Sequence, residues 1–578
     1  MKNKSLPSFV KIIILVIVLG AGIFIGSRPF IYHFISYGNG TKATGIQKVE
    51  KALQLIKDNY VDEVSIDSIV QNIVPTIFAS LDPHSSYFTK EDYEKESDRL
   101  SGHIFGVGIS FNKLIDTVVV LQTVPNGPSD IVGIKTGDRI ITVDSINIAG
   151  KEVSQDSIMR LLKGPKDSSV RLSVHRPSEK KNYSFNIKRG QIPVPLVSPA
   201  FLLSDSIGYI NIKSFGQTTT SEFQKAAISL IKEGAKALIL DLRDNSGGLV
   251  QGALLIANDF LPKDRLVTYT EGRANPRKDY VSDGSGSFQN LPVYVLISQF
   301  SASSSELLAG ALQDNDRAIL IGRRSFGKGV IQQPFFFSDG SAIHLTIARY
   351  YTPSGRSIQK KYELGQSDRY SEDLIKRSLS GEWFNKDSIH SDKSLLFRTV
   401  GGREVYGGGG IIPDIFVAQD TIGVTSYYTT VMKQGLISEY AFRYVDARRD
   451  LFEKLGGIEK ALPYLKSQSL LYDFSRFAST KGITPKSYLI FKSRELILEA
   501  IFSQILFFAY DDIERTKLLA LNDWDILEAQ KLMKEGFTSP LHLEGYKSSS
   551  HNRYQFYPAR VSETDQSEGE TTEIETEE

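Results

Sequence analysis

The feature that most restricts how this chain can fold is a cluster of serines between an apolar run and a helix-like run. Residues 293–297 (VYVLI) are continuously apolar, as in a buried strand, and residues 307–312 (LLAGAL) continue as a helix. Residues 301–306 (SASSSE) join them, and serine before a helix with Glu just inside is typical of a helix start. A helix N-terminus presents backbone N–H groups and a positive dipole, which can stabilise a developing oxyanion.

A lysine between two glycines follows a second strand-like run. Residues 318–321 (AILI) are apolar, and residues 325–332 (SFGKGVIQ) place Lys328 between Gly327 and Gly329. A lysine held in so tight a backbone setting is easily desolvated, which lowers its pKa toward the range of a general base. A serine hydroxyl and a neutral lysine amine together form a known type of activated nucleophile.

Two other interpretations of these segments remain open. A serine cluster before a helix serves in most proteins as a cap, without any role in catalysis. Residues 322–329 (GRRSFGKG) also approach a phosphate-binding P-loop, but Gly329 stands where that motif needs serine or threonine. Because residues 330–337 (VIQQPFFF) have the pattern of a strand rather than of the helix that a P-loop opens, the sequence disfavours nucleotide binding.

Three short motifs together resemble those of a known enzyme family. They are residues 301–306 (SASSSE), residues 309–314 (AGALQD) and residues 325–332 (SFGKGVIQ). In this combination they resemble the carboxy-terminal processing proteases, the tail-specific serine peptidases of family S41, with related motifs over about residues 42–420. The resemblance implies a serine endopeptidase, and no cofactor or metal is predicted.

The resemblance also assigns roles to single residues. It implies that Ser303 is the nucleophile, Lys328 the general base, and Gln332 the residue that orients the lysine amine. It implies that the backbone N–H groups of Gly248 and Ser304 form the oxyanion hole. The family usually has alanine at the position of Ser304, so the choice of Ser303 among neighbouring hydroxyls rests on the resemblance.

Length and composition set limits on the rest of the chain. With 578 residues it exceeds the size of a single hydrophobic core, so several domains are predicted. The formal net charge of +1 predicts no bulk attraction to nucleic acid. The absence of cysteine from the sequence excludes disulfides, thiolate catalysis and cysteine-bound zinc.

The N-terminus has the pattern of an export signal. Residues 1–8 contain Lys2 and Lys4, and residues 9–26 are apolar apart from Lys11. We predict that residues 1–8 stay in the cytoplasm and that residues 9–26 form a transmembrane anchor, with a cleaved signal peptide as the alternative. The catalytic part is then predicted in the bacterial cell envelope, on the periplasmic side of the inner membrane.

Two segments upstream of the serine cluster are predicted to support the site and to bind substrate. Residues 42–90 are predicted to be helical, and His84 within them is interpreted as a turn residue rather than a catalytic base. Residues 91–190 resemble a PDZ domain, which receives a peptide C-terminus on an anion-binding nest of backbone N–H groups. By that resemblance, the carboxylate-binding loop consists of Phe105, Gly106, Val107, Gly108 and Ile109.

The remaining segments complete a multidomain α/β architecture. Residues 195–420 alternate strand and helix patterns, which predicts a protease core with a mostly parallel sheet. Residues 425–545 have apolar residues at helical spacing and are predicted to form a helical region. Residues 560–578 are strongly acidic and are predicted to be a disordered tail.

These features together predict a membrane-anchored serine endopeptidase with a Ser/Lys dyad that cleaves exported proteins. Its PDZ domain is predicted to capture the C-terminal tails of protein or peptide substrates. A second copy of the chain or an adaptor protein is a further predicted partner. The alternative function is a catalytically silent PDZ scaffold that binds protein C-termini at the membrane.

Overall fold

The chain forms two compact units, residues 1–77 and residues 78–578. The predicted cytoplasmic residues 1–8 and the predicted acidic tail, residues 560–578, lie outside the part of the chain that the structure describes. The computed structural model describes residues 9–10, 12–19, 44–114, 117–203, 206–548 and 556.

The first unit contains helices, and only part of the predicted membrane anchor, residues 9–10 and 12–19, lies within the described residues. Helix α1 (Gly45–Asn59) begins with a capping box formed by Thr44 and Gln47, and α2 (Ile66–Ala79) follows. In residues 9–10 and 12–19, the described part of the predicted anchor, the chain is helical. Within the described ranges, however, no helix has both the length and the apolar character needed to cross a bilayer, which takes about 20 residues.

A short strand and a helix open the second unit. Strand β1 (Ser86–Phe88) is followed by helix α3 (Lys90–Ser101), so the stretch predicted to be helical, residues 42–90, also contains a strand. β1 pairs antiparallel with the distant strand Ala342–Tyr351. This pairing brings the segment before the predicted PDZ domain onto the α/β core.

The predicted PDZ domain is a small antiparallel sheet with two helices. Its strands β3, β4, β5, β7 and β8 lie in that order with β6 on β5, and β2 pairs separately with β9. Its elements are β2 (His103–Gly106), β3 (Ile109–Leu114), β4 (Thr117–Thr123), α4 (Pro128–Ile131), β5 (Arg139–Val143), β6 (Ile146–Asn147), α5 (Gln155–Leu162), β7 (Ser169–Arg176), β8 (Lys181–Lys188) and β9 (Gly190–Pro193). The predicted carboxylate-binding loop lies between β2 and β3.

The α/β core contains two sheets and the helices between their strands. The first sheet has the strand order β10-β11-β12-β15-β16-β21, and the second has the order β1-β18-β13-β14 with β17 on β18. The core elements are β10 (Val197–Leu203), β11 (Ile207–Ile212), α6 (Thr219–Lys232), β12 (Ala237–Asp241), α7 (Val250–Phe260), β13 (Leu266–Glu271), β14 (Lys278–Val281), β15 (Val293–Ile297), α8 (Ser304–Asp314), β16 (Ile319–Gly322), β17 (Val330–Phe336), β18 (Ala342–Tyr351), α9 (Ser367–Leu379), β19 (Leu396–Arg398), β20 (Glu404–Tyr406) and β21 (Ile415–Phe416).

The prediction of a mostly parallel sheet is corrected, because the core sheet is mixed. β11, β12, β15, β16 and β21 run parallel, but the edge strand β10 is antiparallel to β11. The connection between β10 and β11 is too short for the crossover that a parallel neighbour requires. The second sheet is antiparallel at every pairing between its described strands.

A helical region follows the core, as predicted. It packs around its own apolar cluster, which includes Phe452, Phe474, Ile501 and Phe502, all at most 1% exposed. Its helices are α10 (Ser426–Lys433), α11 (Leu436–Asp446), α12 (Arg449–Leu455), α13 (Ile458–Lys466), α14 (Leu470–Thr480), α15 (Ser487–Lys492), α16 (Arg494–Ala509), α17 (Asp512–Ala520) and α18 (Trp524–Lys534). We call α10–α18 the helical region.

Candidate active site

The predicted nucleophile lies at the turn that leads from β15 into α8. Ser303 precedes the first residue of α8 and has φ 57°, a backbone conformation that residues with a side chain rarely adopt. Its backbone N–H donates to Glu306 Oε2 at 3.0 Å, which holds this conformation in place. Strained residues of this kind cluster at active sites, and Ser303 is half-buried rather than closed off from solvent.

The other hydroxyls of the serine cluster have structural roles. Each donates to a backbone carbonyl of the segment 242–248, whereas the Ser303 hydroxyl donates to no protein acceptor in the described ranges. The three pairs are Ser301 with Leu242 (2.7 Å), Ser304 with Gly248 (2.9 Å) and Ser305 with Asn245 (2.9 Å). Among these serines, Ser303 is therefore the one whose hydroxyl is available for chemistry.

The predicted oxyanion donors lie side by side. Gly248 has φ 137°, and a Cβ at this position would come within 2.1 Å of the Phe215 carbonyl oxygen, so the turn requires glycine. A Cβ on the preceding Gly247 would lie 2.7 Å from Ser303 Cβ, which shows how closely the two turns approach. Within the residues described, neither the Gly248 N–H nor the Ser304 N–H donates to a protein acceptor. Two unpaired N–H groups beside a nucleophile suit an oxyanion hole.

One buried carboxylate ties the turn of Ser303 to the loop that carries Lys328. Glu306 Oε2 accepts from the backbone N–H groups of Ser303 (3.0 Å) and Lys328 (2.8 Å). Its Oε1 accepts from the Gly327 N–H at 2.7 Å and from the Ser325 hydroxyl at 2.5 Å. Burial raises the pKa of Glu306 to about 7, and these four donors oppose that rise. The sequence indicated Glu306 only as a helix-start residue.

A buried tyrosine adds a second tie that sequence reasoning missed. The Tyr350 hydroxyl lies 2.9 Å from the Ser303 carbonyl oxygen and 2.8 Å from the Lys328 carbonyl oxygen. The side chain is 1% exposed. A single hydroxyl thus joins the backbones of the predicted nucleophile and the predicted base. Its position at the end of a strand gave no sequence signal of this role.

The predicted base and the predicted orienting residue are in contact. Lys328 Nζ donates to Gln332 Oε1 at 3.0 Å, and the Gln332 amide in turn donates to the His84 carbonyl oxygen. Burial lowers the pKa of the Lys328 amine, and the charge of Glu306 acts in the opposite direction. In the described ranges no hydrogen bond joins Lys328 Nζ to the Ser303 hydroxyl. Catalytic hydrogen bonds are often long in ligand-free enzymes and tighten on substrate binding.

His84 lies beside this amine without being placed as a base. Burial, and then the charge of Lys328, lower the pKa of His84 to about 4. Asp82 accepts from the backbone N–H groups of His84 and Ser85, both at 2.8 Å, and so fixes a tight turn. His84 therefore lies in a turn, and its carbonyl supports Gln332 while its imidazole packs at 4.9 Å from the ring of Tyr370.

The predicted carboxylate-binding loop lies apart from these residues, in the PDZ domain. The N–H groups of Val107 and Gly108 donate to no acceptor within the described part of the chain. Gly108 has φ 77°, and a Cβ on Gly106 would lie 3.4 Å from the carbonyl oxygen of Leu162 at the end of α5. Phe105 and Ile109 flank these residues as the third residue of β2 and the first of β3. The loop thus offers adjacent N–H groups at the start of the edge strand β3.

Comparison with known proteins finds a matching peptidase family and similar curated proteins. The family model of peptidase family S41 matches residues 206–365, and the carboxy-terminal processing protease CtpB of Bacillus subtilis (strain 168) is 32% identical over 360 residues. That alignment covers 61% of this chain and 74% of CtpB. This chain belongs to peptidase family S41.

Further proteins similar to this S41 peptidase are also named as proteases. Carboxy-terminal processing protease CtpA of Bacillus subtilis (strain 168) is 31% identical over 365 residues, which cover 62% of this chain and 76% of CtpA. A probable CtpA-like serine protease of Staphylococcus haemolyticus (strain JCSC1435) is 30% identical, covering 61% of this chain and 70% of that protein. The solved photosystem II D1 C-terminal processing protease is 28% identical, covers 55% of this chain and 91% of its own, and superposes with a TM-score of 0.31.

Two further family models match this S41 peptidase outside its core. A PDZ domain model matches residues 106–188, and a model described as a family of unknown function (DUF8443) matches residues 427–511 within the helical region. The predicted family and the PDZ domain are thereby confirmed, and the structure confirms the α/β multidomain class with its helical C-terminal region. By family, the chain is a serine-type C-terminal processing protease.

Proposed function

We propose that this S41 peptidase cleaves polypeptides with Ser303 as the nucleophile and Lys328 as the general base. The proposal rests above all on one observation: a partly buried lysine amine, with lowered pKa, is held by Gln332 on a loop that Glu306 and Tyr350 tie to the Ser303 turn. A neutral amine that donates one N–H to Gln332 keeps its lone pair for the Ser303 proton.

The proposed reaction is an acyl transfer in two stages. Ser303 Oγ attacks the scissile carbonyl carbon while Lys328 takes the hydroxyl proton, and the carbonyl oxygen becomes an oxyanion facing the N–H groups of Gly248 and Ser304. The C–N bond then breaks as Lys328 returns the proton to the leaving amine. Water, deprotonated by the same amine, hydrolyses the acyl-enzyme and frees Ser303.

We further propose that the PDZ domain captures the free C-terminus of the substrate. The unpaired N–H groups of Val107 and Gly108 suit a terminal carboxylate. The adjacent strand β3 offers an edge on which an extended peptide can add a strand. Ile109 on that edge strand and Leu161 of α5 are partly buried against the apolar cluster of the PDZ domain, which favours an apolar last residue.

The test of this proposal is covalent labelling with a fluorophosphonate probe, in which a serine oxygen displaces fluoride from phosphorus. We expect one adduct per chain, located by mass spectrometry on Ser303 and absent from Ser303→Ala. A folded chain that takes up no probe but still binds C-terminal peptides would instead support the silent scaffold. The bacterial cell envelope is the proposed location, and a membrane-impermeant version of the probe should then label the protein in cells with a permeabilised outer layer.

The pH dependence of the proposed reaction has a defined direction. Because neutral Lys328 is the base, kcat/KM should rise with pH through the pKa of this amine, which burial lowers from its usual 10.5. Gln332→Glu places a carboxylate 3.0 Å from Nζ, favours the ammonium, and should move the rise about 1–3 pH units upward. The control is Gln332→Ala, which removes the orienting contact without adding charge. It should lower kcat without moving the rise of kcat/KM to higher pH. An unchanged pH profile in Gln332→Glu would argue against Lys328 as the base.

A further inference from the structure

The PDZ domain is joined to the α/β core by two adjacent segments. One leaves α3 through Gly102, which has φ 75°, and the other leaves β9 toward β10. The two segments meet where the Val194 N–H donates to the Gly102 carbonyl oxygen at 2.9 Å, next to the β2–β9 pair. Two neighbouring chain connections of this kind resemble a hinge, because they would by themselves leave the PDZ domain free to rotate relative to the core.

Strand β4 of the PDZ domain is buried on both of its faces. Val118 and Val120 point into the apolar cluster of the PDZ domain itself. Val119 and Leu121 point the other way and belong to the apolar cluster of the helical region, with 1% and 9% of their surface exposed. A PDZ strand on which both faces are apolar has one face built to receive another domain.

Polar contacts fix the register of this interface. Arg139 of β5 donates to Asp446 of α11 at 2.7 Å, and its guanidinium lies 5.3 Å from the centre of the Phe442 ring. The Gln122 side-chain amide donates to the carbonyl oxygen of Tyr510 at the end of α16. Apolar contact and oriented polar contact together are typical of an interface that does not slide.

The helical region also packs on the α/β core, on the face of the first sheet opposite to α8. Ala520, Ile526, Ala529 and Leu532 share one apolar cluster with strand residues of that sheet. The side chains from the sheet include Tyr209, Ile239, Tyr294, Leu296, Ile319 and Ile321. The helical region therefore has two separate docking faces, one for each side of the hinge.

A buried charge network joins the core-side interface to the oxyanion turn. Arg243 Nη1 donates to Asp523 Oδ1 at 2.9 Å and to Asp525 Oδ2 at 2.8 Å, both near the start of α18. Arg243 lies five residues before Gly248, in the turn that follows β12. The helical region thus contacts the PDZ domain at one end and the turn of the oxyanion hole at the other.

We propose that the helical region, whose matching family has no assigned function, is a bracket that holds the PDZ domain at one fixed position relative to Ser303. Because the bracket packs on the PDZ domain with one face and on the core sheet with the other, it restrains movement about the Gly102 and Val194 connections. A substrate tail bound at the PDZ loop is then presented to the core at a constant distance. This role concerns the position of a domain and goes beyond the proposed proteolysis.

The bracket is tested by measuring a distance between the two domains, and the natural absence of cysteine makes the labelling simple. Spin labels on Ile131→Cys in the PDZ domain and Leu379→Cys in the core use side chains that are 76% and 82% exposed. The full-length chain should give one narrow distance distribution. Leu121→Asp puts a carboxylate into the apolar interface. Asp446→Arg places a third arginine beside Arg139 and Arg449, which Asp446 normally pairs with. Each variant should broaden the distribution into several distances.

The matched control is Ile146→Asp, which makes an acidic change at a PDZ side chain that is 48% exposed. It should keep the narrow distribution of the parent chain. If Leu121→Asp fails to fold, Asp446→Arg decides alone, because its site is at the surface edge of the interface. A broad distribution in the parent, or distributions in both folded variants as narrow as the parent's, would overturn the bracket. Since no turnover is measured, either result leaves the proposed peptidase chemistry to its own test.

Discussion

Ser303→Ala and Lys328→Ala are each expected to lower kcat/KM for an unstructured protein substrate by about 10⁴-fold or more. Ser303→Ala removes the oxygen that is proposed to form the acyl-enzyme. Lys328→Ala removes the amine that Gln332 holds and that is proposed to take the hydroxyl proton. The two losses should not add in the double variant, because both residues act in the same step.

Cleavage is followed by mass spectrometry of the products, and binding of a C-terminal peptide is measured alongside. Peptide binding should persist in both variants, since the PDZ loop is untouched. Ser371→Ala and Lys361→Ala provide matched controls: Ser371 is an exposed serine on α9, and Lys361 has a side chain that is 85% exposed. Full turnover in Ser303→Ala would point to a neighbouring hydroxyl, and full turnover in both catalytic variants would remove the dyad altogether.

Gly248→Ala is expected to cost both turnover and stability. The added Cβ meets the Phe215 carbonyl oxygen at 2.1 Å, and alanine at φ 137° is strained by about 1–3 kcal/mol even without that contact. The turn must shift, which moves the Gly248 N–H away from the developing oxyanion. Loss of one such donor lowers kcat by about 10²–10³-fold.

The control for this variant is Gly234→Ala in the same core. Gly234 has φ 105°, but a Cβ there meets nothing within 4 Å, so this change isolates backbone strain. Both variants should lower the free energy of unfolding in urea, and Gly248→Ala alone should lower kcat. Equal kcat values in the two variants would show that Gly248 does not supply an oxyanion donor.

Residues close together in sequence could be predicted because local patterns specify them. The strand-to-helix turn at Ser303 and the glycine-flanked Lys328 were visible as motifs, and both lie where those patterns place them. The choice among adjacent serines needed the structure, since it depends on which hydroxyls reach the carbonyls of the segment 242–248.

Contacts between distant segments could not be predicted from one sequence. Tyr350 and the His84 carbonyl reach the site through the antiparallel sheet of β1, β17 and β18, whose register no local pattern specifies. The mixed sheet was missed for a related reason. Alternating strands and helices indicate parallel crossovers, but they do not show that β10 adds to the edge in the opposite direction. The sequence has four consecutive apolar residues in β4, at 118–121. Both faces of the strand are buried because the helical region packs on the face that carries Val119 and Leu121.

The support that the His84 carbonyl gives to Gln332 links residues 248 positions apart in the chain. A ribosome adding about 5–20 residues per second needs roughly 12–50 s to travel that far. During this interval the nascent polypeptide has made its PDZ domain but not the glutamine that aims the lysine. The PDZ domain is therefore synthesised before Gln332, and the candidate active site cannot be complete until synthesis has passed the core.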